Sequence, residues 1–137
     1  FHVSNLMKHK KQLATIDTQD ALIGSKAYDL ASLIDDVRFK TNKKFKDKIY
    51  NYYLRANKKK INKIILLNDF EILSVLRNMK IIGIFSRLAM RDKKKNYLKL
   101  IPYAWQLIEL RTKNNGIFNN LKKTLDLNFS QKIRTLK

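Results

Sequence analysis

A chain of 137 residues that is 45% hydrophobic and 10% aromatic can build one domain with a core, but not two ordinary domains. Three Gly and one Pro leave too little turn material for an all-β sandwich or barrel; the absence of Cys excludes disulfides, thiolate zinc sites and cysteine nucleophiles, and two His without Cys argue against a structural metal site. The 30 Lys and Arg against 11 Asp and Glu give a net charge of +19, which raises nucleic acid or an anionic membrane surface as a partner.

The chain changes character near residue 29. Before it, the short apolar runs Asn5 to Met7 and Leu13 to Ile16 flank a polar segment from Lys8 to Gln12, which predicts a small hairpin with His9 solvated in its turn. Helical spacing then takes over. Leu30, Leu33, Ile34 and Val37 follow i, i+3, i+4, i+7 and predict a helix with Asp29 as its N-cap. Ile49, Tyr52, Tyr53 and Ala56 repeat the spacing, as do Ile72, Val75, Leu76 and Met79. The stripe Ile81, Ile84, Phe85 and Leu88 either continues that helix or starts another after a bend at Gly83. Tyr97, Leu100, Ile101, Ala104 and Ile108 predict a further helix that Pro102 must begin or kink. Phe118, Leu121 and Leu125 outline a shorter one after a break at Gly116. Tyr50, Tyr52, Tyr53 and Trp105 read as core and rim rather than as ligand-stacking surfaces.

Chemistry belongs to the irregular first third. A hairpin brings Asn5, entering its first strand, and Asp17, leaving its second, to the same end. An amide oxygen and a carboxylate converging there suit Mg2+, which takes one or two protein groups and fills its shell with phosphate and water. From spacing alone, both read first as the ordinary polar residues of a hairpin end.

The stretches that carry these residues, F-H-V-S-N-L-M from Phe1 to Met7 and I-D-T-Q-D-A-L-I-G from Ile16 to Gly24 followed by Y-D-L-A, resemble the catalytic and metal-binding loops of the aminoglycoside phosphotransferase and choline kinase superfamily, relatives of protein kinases. I-D-x-Q-D-A, then G and Y-D-L-A-S-L, is most similar to its bacterial sugar 1-kinases, the N-acetylmuramate and N-acetylglucosamine kinases of cell-wall recycling, which usually carry an aromatic residue where Thr18 stands. The segments Arg77 to Asp92 and Tyr97 to Trp105 resemble that branch's C-terminal helices, so the similarity runs from Phe1 to about Leu110.

The resemblance implies an α+β, mostly helical C-terminal lobe of a protein-kinase-like fold across residues 1–137, with a β-hairpin at its N-terminal end and the N-terminal lobe absent. It implies an ATP-dependent phosphotransferase acting on a sugar hydroxyl. Asn5 and Asp17 would hold Mg2+, and the catalytic Asp would stand immediately before Phe1, with His2 in support. Gln19 and Asp20 are candidates for the acceptor sugar, and Asp29 for bracing the catalytic loop. ATP and a small sugar are the expected partners, and this chain alone is expected to be inactive. Alternatives are a choline- or aminoglycoside-type small-alcohol kinase, or a non-catalytic basic helical module that binds nucleic acid. Against the last, the basic excess is mostly Lys, which rises with Asn and Ile because all three have A/T-rich codons. The Lys runs also fall between apolar segments, and no zinc-finger, RNP-like or helix-turn-helix pattern is present. The apolar runs are far shorter than the roughly 18 residues that span a bilayer. A cytoplasmic protein without membrane partners is therefore expected, and a first residue of Phe suggests a piece of a longer chain.

Overall fold

The computed structural model describes residues 2–19, 23–57 and 61–136. Strands β1 (Leu6–His9) and β2 (Gln12–Thr15) are followed by helices α1 (Lys26–Ile34), α2 (Lys43–Ala56), α3 (Lys63–Arg91), α4 (Ile101–Thr112), α5 (Asn119–Asn128) and α6 (Gln131–Thr135). Short 3-10 turns lie at Val3–Asn5, Lys95–Leu100 and Gly116–Phe118. This is a mostly helical α+β chain with one antiparallel hairpin at its start. Among the described residues, no helix is long and apolar enough to cross a membrane. The chain divides into two compact units, Phe1–Leu73 and Ser74–Lys137.

In the first unit the strands pair from Leu6 with Thr15 to His9 with Gln12, so the turn is Lys10 and Lys11. The strands thus run further into the polar segment than the apolar runs predict, and His9 ends β1 rather than sitting in the turn. Lys10 takes φ 52°, the left-handed conformation that tight hairpin turns demand of their first central residue. A two-stranded hairpin is marginal by itself, and only Leu6 among its strand residues is even half-buried. Its base is tied instead by Asn5, whose carbonyl accepts from the Ile16 N–H at 2.9 Å.

Helix α1 begins one turn earlier than its apolar stripe predicts. Ser25 is the N-cap, its hydroxyl accepting from the Ala27 N–H at 3.3 Å, and Asp29 lies in the first turn instead of capping it. The helix ends at Ile34, and Val37 is buried just beyond it. Helix α2 is capped by Asn42, which accepts from the Phe45 N–H at 2.8 Å. Its inward face is rotated from the expected one: Ile49, Tyr50, Tyr53 and Leu54 pack on the core, whereas Tyr52 is 69% exposed and Ala56 is also exposed. Lys46 occupies the same inward face at 3% exposure, its Nζ 3.1 Å from Asp35 Oδ1 and donating to the Ile34 carbonyl at 2.6 Å. Ala27, Leu30, Ala31 and Ile34 of α1 meet Leu66 and Phe70 of α3 to form the core, with Tyr50 and Phe70 ring centroids 5.1 Å apart. Asn62 starts α3 by accepting from the Ile64 and Ile65 N–H groups.

In the second unit α3 continues through Gly83, so the Ile81 to Leu88 stripe belongs to the same helix. Val75, Ile81, Phe85 and Ala89 are buried, while Leu76 from the expected stripe is largely exposed. Pro102 stands in the first turn of α4, where its missing N–H costs nothing, and so begins the helix. Tyr97 and Leu100 precede that helix in the 3-10 turn, with the Tyr97 ring 4.9 Å from Phe85. The break at Gly116 holds: Asn115 caps a 3-10 turn that leads into α5, with Phe118 and Leu125 buried. Helix α6, capped by Ser130, has no counterpart in the apolar periodicity. Its anchor is Arg134, 5% exposed, which bonds Glu109 at 3.1 Å and Asp126 at 2.7 Å and lies 5.0 Å from the Trp105 ring centre.

Candidate functional site at the hairpin base

The 3-10 turn Val3–Asn5 is closed by the Asn5 N–H donating to the His2 carbonyl at 2.9 Å. It delivers Asn5 into the hairpin base, where the side chain is 5% exposed. Asn5 Nδ2 donates to Asp17 Oδ2 at 3.1 Å and to the Ile16 carbonyl at 3.4 Å. The two residues singled out in the sequence are therefore in contact. Asn5 Oδ1, like Asn78 Oδ1, is buried without a hydrogen-bond partner among the described residues, and such an acceptor costs about 1–3 kcal/mol when left unmade. Asp17 is exposed and takes φ 60°. A non-glycine residue held there is strained, and such strain gathers at functional positions. The hairpin base thus joins a buried amide, its Nδ2 turned to Asp17 and its Oδ1 unpaired among the described residues, to the carboxylate of an exposed residue. Among the described residues no group of three or more His, Asp or Glu gathers in metal-holding fashion.

The turn is tied to the segment after α1 by Asp36, a residue that no motif or apolar stripe marks. Asp36, 1% exposed, accepts from the Val3 N–H through Oδ2 at 3.0 Å and from the Arg38 N–H through Oδ1 at 2.9 Å. Arg38 Nη1 lies 3.6 Å from the same Oδ1. Asp29, the expected brace, is exposed and lines a shallow recess of about 370 Å3 with Lys26, Leu30, Leu33 and Tyr53. The buried Asp35–Asp36 pair after α1 was the available signal, since two adjacent carboxylates that follow an apolar helix end need partners wherever they are buried.

His2 is half-buried at the start of the turn, and Gln19 is exposed beyond Asp17. Asp20 lies outside the described residues. In the second unit, Trp105 is buried as expected for a core residue. With Arg134, Glu109, Asp126, Lys113 and Lys122 it lines a cleft of about 340 Å3. Burial by itself would lower the Arg134 pKa, but the hydrogen bonds it donates to Asp126 and Glu109, together with the charges of those carboxylates, outweigh burial and raise the value. Arg91, one helical turn from Arg87, is ion-paired with Asp92 at 2.7 Å.

No family model matches the chain. It is similar to the N-acetylmuramate/N-acetylglucosamine kinase of Neisseria meningitidis, 35% identical over 107 residues that cover 74% of this chain and 32% of the relative. The kinase of the same name from Pseudomonas aeruginosa is 30% identical over 110 residues, covering 77% of this chain and 32% of the relative. That of Caulobacter vibrioides is 28% identical over 115 residues, covering 80% and 31%. The chain spans about a third of the length of these curated relatives. The three likenesses support a relation to sugar kinases.

Proposed function

We propose that this chain supplies the metal-holding part of a kinase that transfers phosphate from ATP to a hydroxyl of an N-acetylated amino sugar, within the C-terminal lobe of a protein-kinase-like fold. The observation that carries the reading is the contact between Asn5 and Asp17 at the hairpin base. The similarity to three kinases named for N-acetylmuramate and N-acetylglucosamine supports the choice of acceptor.

The donor set fits Mg2+. Asn5 Oδ1 is a buried acceptor without a partner, and Asp17 adds a carboxylate. Turning the Asn5 amide over would bring Oδ1 to the side of Asp17 in place of Nδ2, giving up the Nδ2 bond to the Ile16 carbonyl. Two protein oxygens are what Mg2+ ordinarily takes when phosphates and water complete its shell. Bound there, Mg2+ would neutralise charge on the phosphate oxygens of ATP. The chain's own part is positional. The hairpin ladder sets the spacing of Asn5 and Asp17, burial limits the Asn5 side chain to few rotamers, and the Asn5 N–H bond to the His2 carbonyl closes the turn that carries it. Fixing groups in advance is the larger part of catalysis in phosphoryl transfer.

The test uses the full-length gene product with isotopically labelled ATP and, separately, N-acetylmuramate, N-acetylglucosamine, choline and an aminoglycoside. Label is expected in an N-acetylated sugar, and Asp17→Ala should abolish transfer while the far-UV circular dichroism stays unchanged. Label only in choline or the aminoglycoside would replace the sugar reading with the small-alcohol one. Near-normal turnover by Asp17→Ala would overturn the metal assignment.

A further inference from the structure

Asp36 stands apart from the other acidic residues because its carboxylate is spent on backbone 33 positions away. Every 3-10 turn leaves its first N–H groups without an internal acceptor. At Val3–Asn5 the first of these belongs to half-buried Val3, and Asp36 Oδ2 is its acceptor. The other carboxylate oxygen accepts from Arg38 N–H, so both oxygens are engaged by backbone donors and the carboxylate has little freedom to turn. The chain of contacts is continuous: Asp36 to Val3, the turn from His2 to Asn5, and Asn5 to Asp17.

We infer that Asp36 is a positioning residue for the metal-holding pair: it fixes the turn that carries Asn5, and so the direction of the Asn5 amide, without touching the cation or the substrate itself. This rests on the metal reading of Asn5 and Asp17 and deepens it. A carboxylate is required because an Asn at this place offers one acceptor and one donor. Two N–H groups converge on the two oxygens, so one of them would face an NH2 group.

The experiment is Mn2+ binding to the full-length protein, followed by electron paramagnetic resonance of the free ion without ATP or sugar. Wild type is compared with Asp36→Asn, and with Leu30→Ala as a cavity variant on the helix that leads to Asp36. Partners bonded directly to metal ligands typically change affinity about 10–100-fold, and because Asp36 acts through the turn, Asp36→Asn should raise the Mn2+ Kd by about 10-fold, the low end of that range. Leu30→Ala should lower the unfolding midpoint and leave the Mn2+ Kd within about 2-fold, since it removes packing only. Equal loss of affinity in both variants, or unchanged affinity in Asp36→Asn, would overturn the positioning role. Amide hydrogen exchange in the wild type is a second test that needs no variant. The Val3 N–H should exchange much more slowly than that of Lys10, and equal rates would also overturn it. A wild type that binds no Mn2+, or an Asp17→Ala protein that binds it normally, would instead bring down the metal reading, a result separable from the others because it does not depend on Asp36.

Discussion

Lys46→Met should be among the most damaging single substitutions in the first unit. Lys46 and Asp35 have side chains 3% and 0% exposed, with 3.1 Å between Nζ and Oδ1. At that distance, an effective dielectric of about 20 gives an attraction of roughly 5 kcal/mol, largely consumed by removing both charges from water. The intact pair therefore adds little. Breaking it is different, because Met leaves the Asp35 carboxylate buried without its cation and the Ile34 carbonyl without the donor 2.6 Å away. Such a loss costs about 3–5 kcal/mol, a large part of the 5–15 kcal/mol that holds a typical domain together. With a urea slope of about 2 kcal/mol per molar, the midpoint should fall by roughly 2 M. Urea unfolding followed by circular dichroism at 222 nm measures it. The double variant Lys46→Met with Asp35→Leu should recover most of the loss, since apolar replacement of a buried pair is often neutral or better. A single variant within about 1 kcal/mol of wild type, or a double variant no better than the single, would refute the reasoning.

Ser25→Ala should cost about 1 kcal/mol, because it removes the acceptor at the start of α1, whereas Asp29→Ala should cost less than half of that; urea midpoints in the reverse order would restore Asp29 as the cap. Gly83→Ala should stabilise by about 0.5–1 kcal/mol, since a Cβ there meets no atom within 4 Å; a lower thermal midpoint would mean that the helix is not regular at that point. Arg134→Met should cost about 1–3 kcal/mol through lost stacking and hydrogen bonds. The two carboxylates it abandons are 45% and 52% exposed and can return to water. Trp105 is the sole tryptophan, so its emission should move to longer wavelength as Arg134 leaves the ring, and unchanged emission would place α6 elsewhere.

Local patterns carried much of this arrangement. The hairpin and the meeting of Asn5 with Asp17 follow from two short runs of residues and one turn, distances over which the chain has few alternatives. The stripe of α1, the start of α4 at Pro102 and the break at Gly116 were legible for the same reason. What escaped depends on polar residues doing what apolar ones usually do. Lys46 lies on the buried face of α2, so a search for apolar spacing selects Tyr52 and Ala56 and misplaces that face. Helix α6 has five residues and is held by an arginine, which leaves no periodic signal. The brace on the 3-10 turn at Val3–Asn5 joins positions 33 apart, and a single chain holds no local trace of such a pairing. Asp29 drew attention because it immediately precedes the apolar stripe, while Ser25 begins the helix a turn before any apolar position requires it.

The buried charge on α2 also has a bearing on how the chain chooses among conformations. The helix offers two candidate seams, one through Ile49, Tyr52, Tyr53 and Ala56 and one through Lys46, Ile49, Tyr50, Tyr53 and Leu54, separated by roughly 80° about the axis at 100° per residue. Both are apolar enough to attract the same neighbours, and shared residues would let the helix roll between them at small cost. Only the second seam brings Nζ to Asp35. The ion pair then acts as a keyway: it adds little to the depth of the energy minimum but removes its twin. Replacing both partners with apolar residues should accordingly preserve the melting temperature and split the tyrosine ring resonances of α2 into two sets, one for each orientation of the helix.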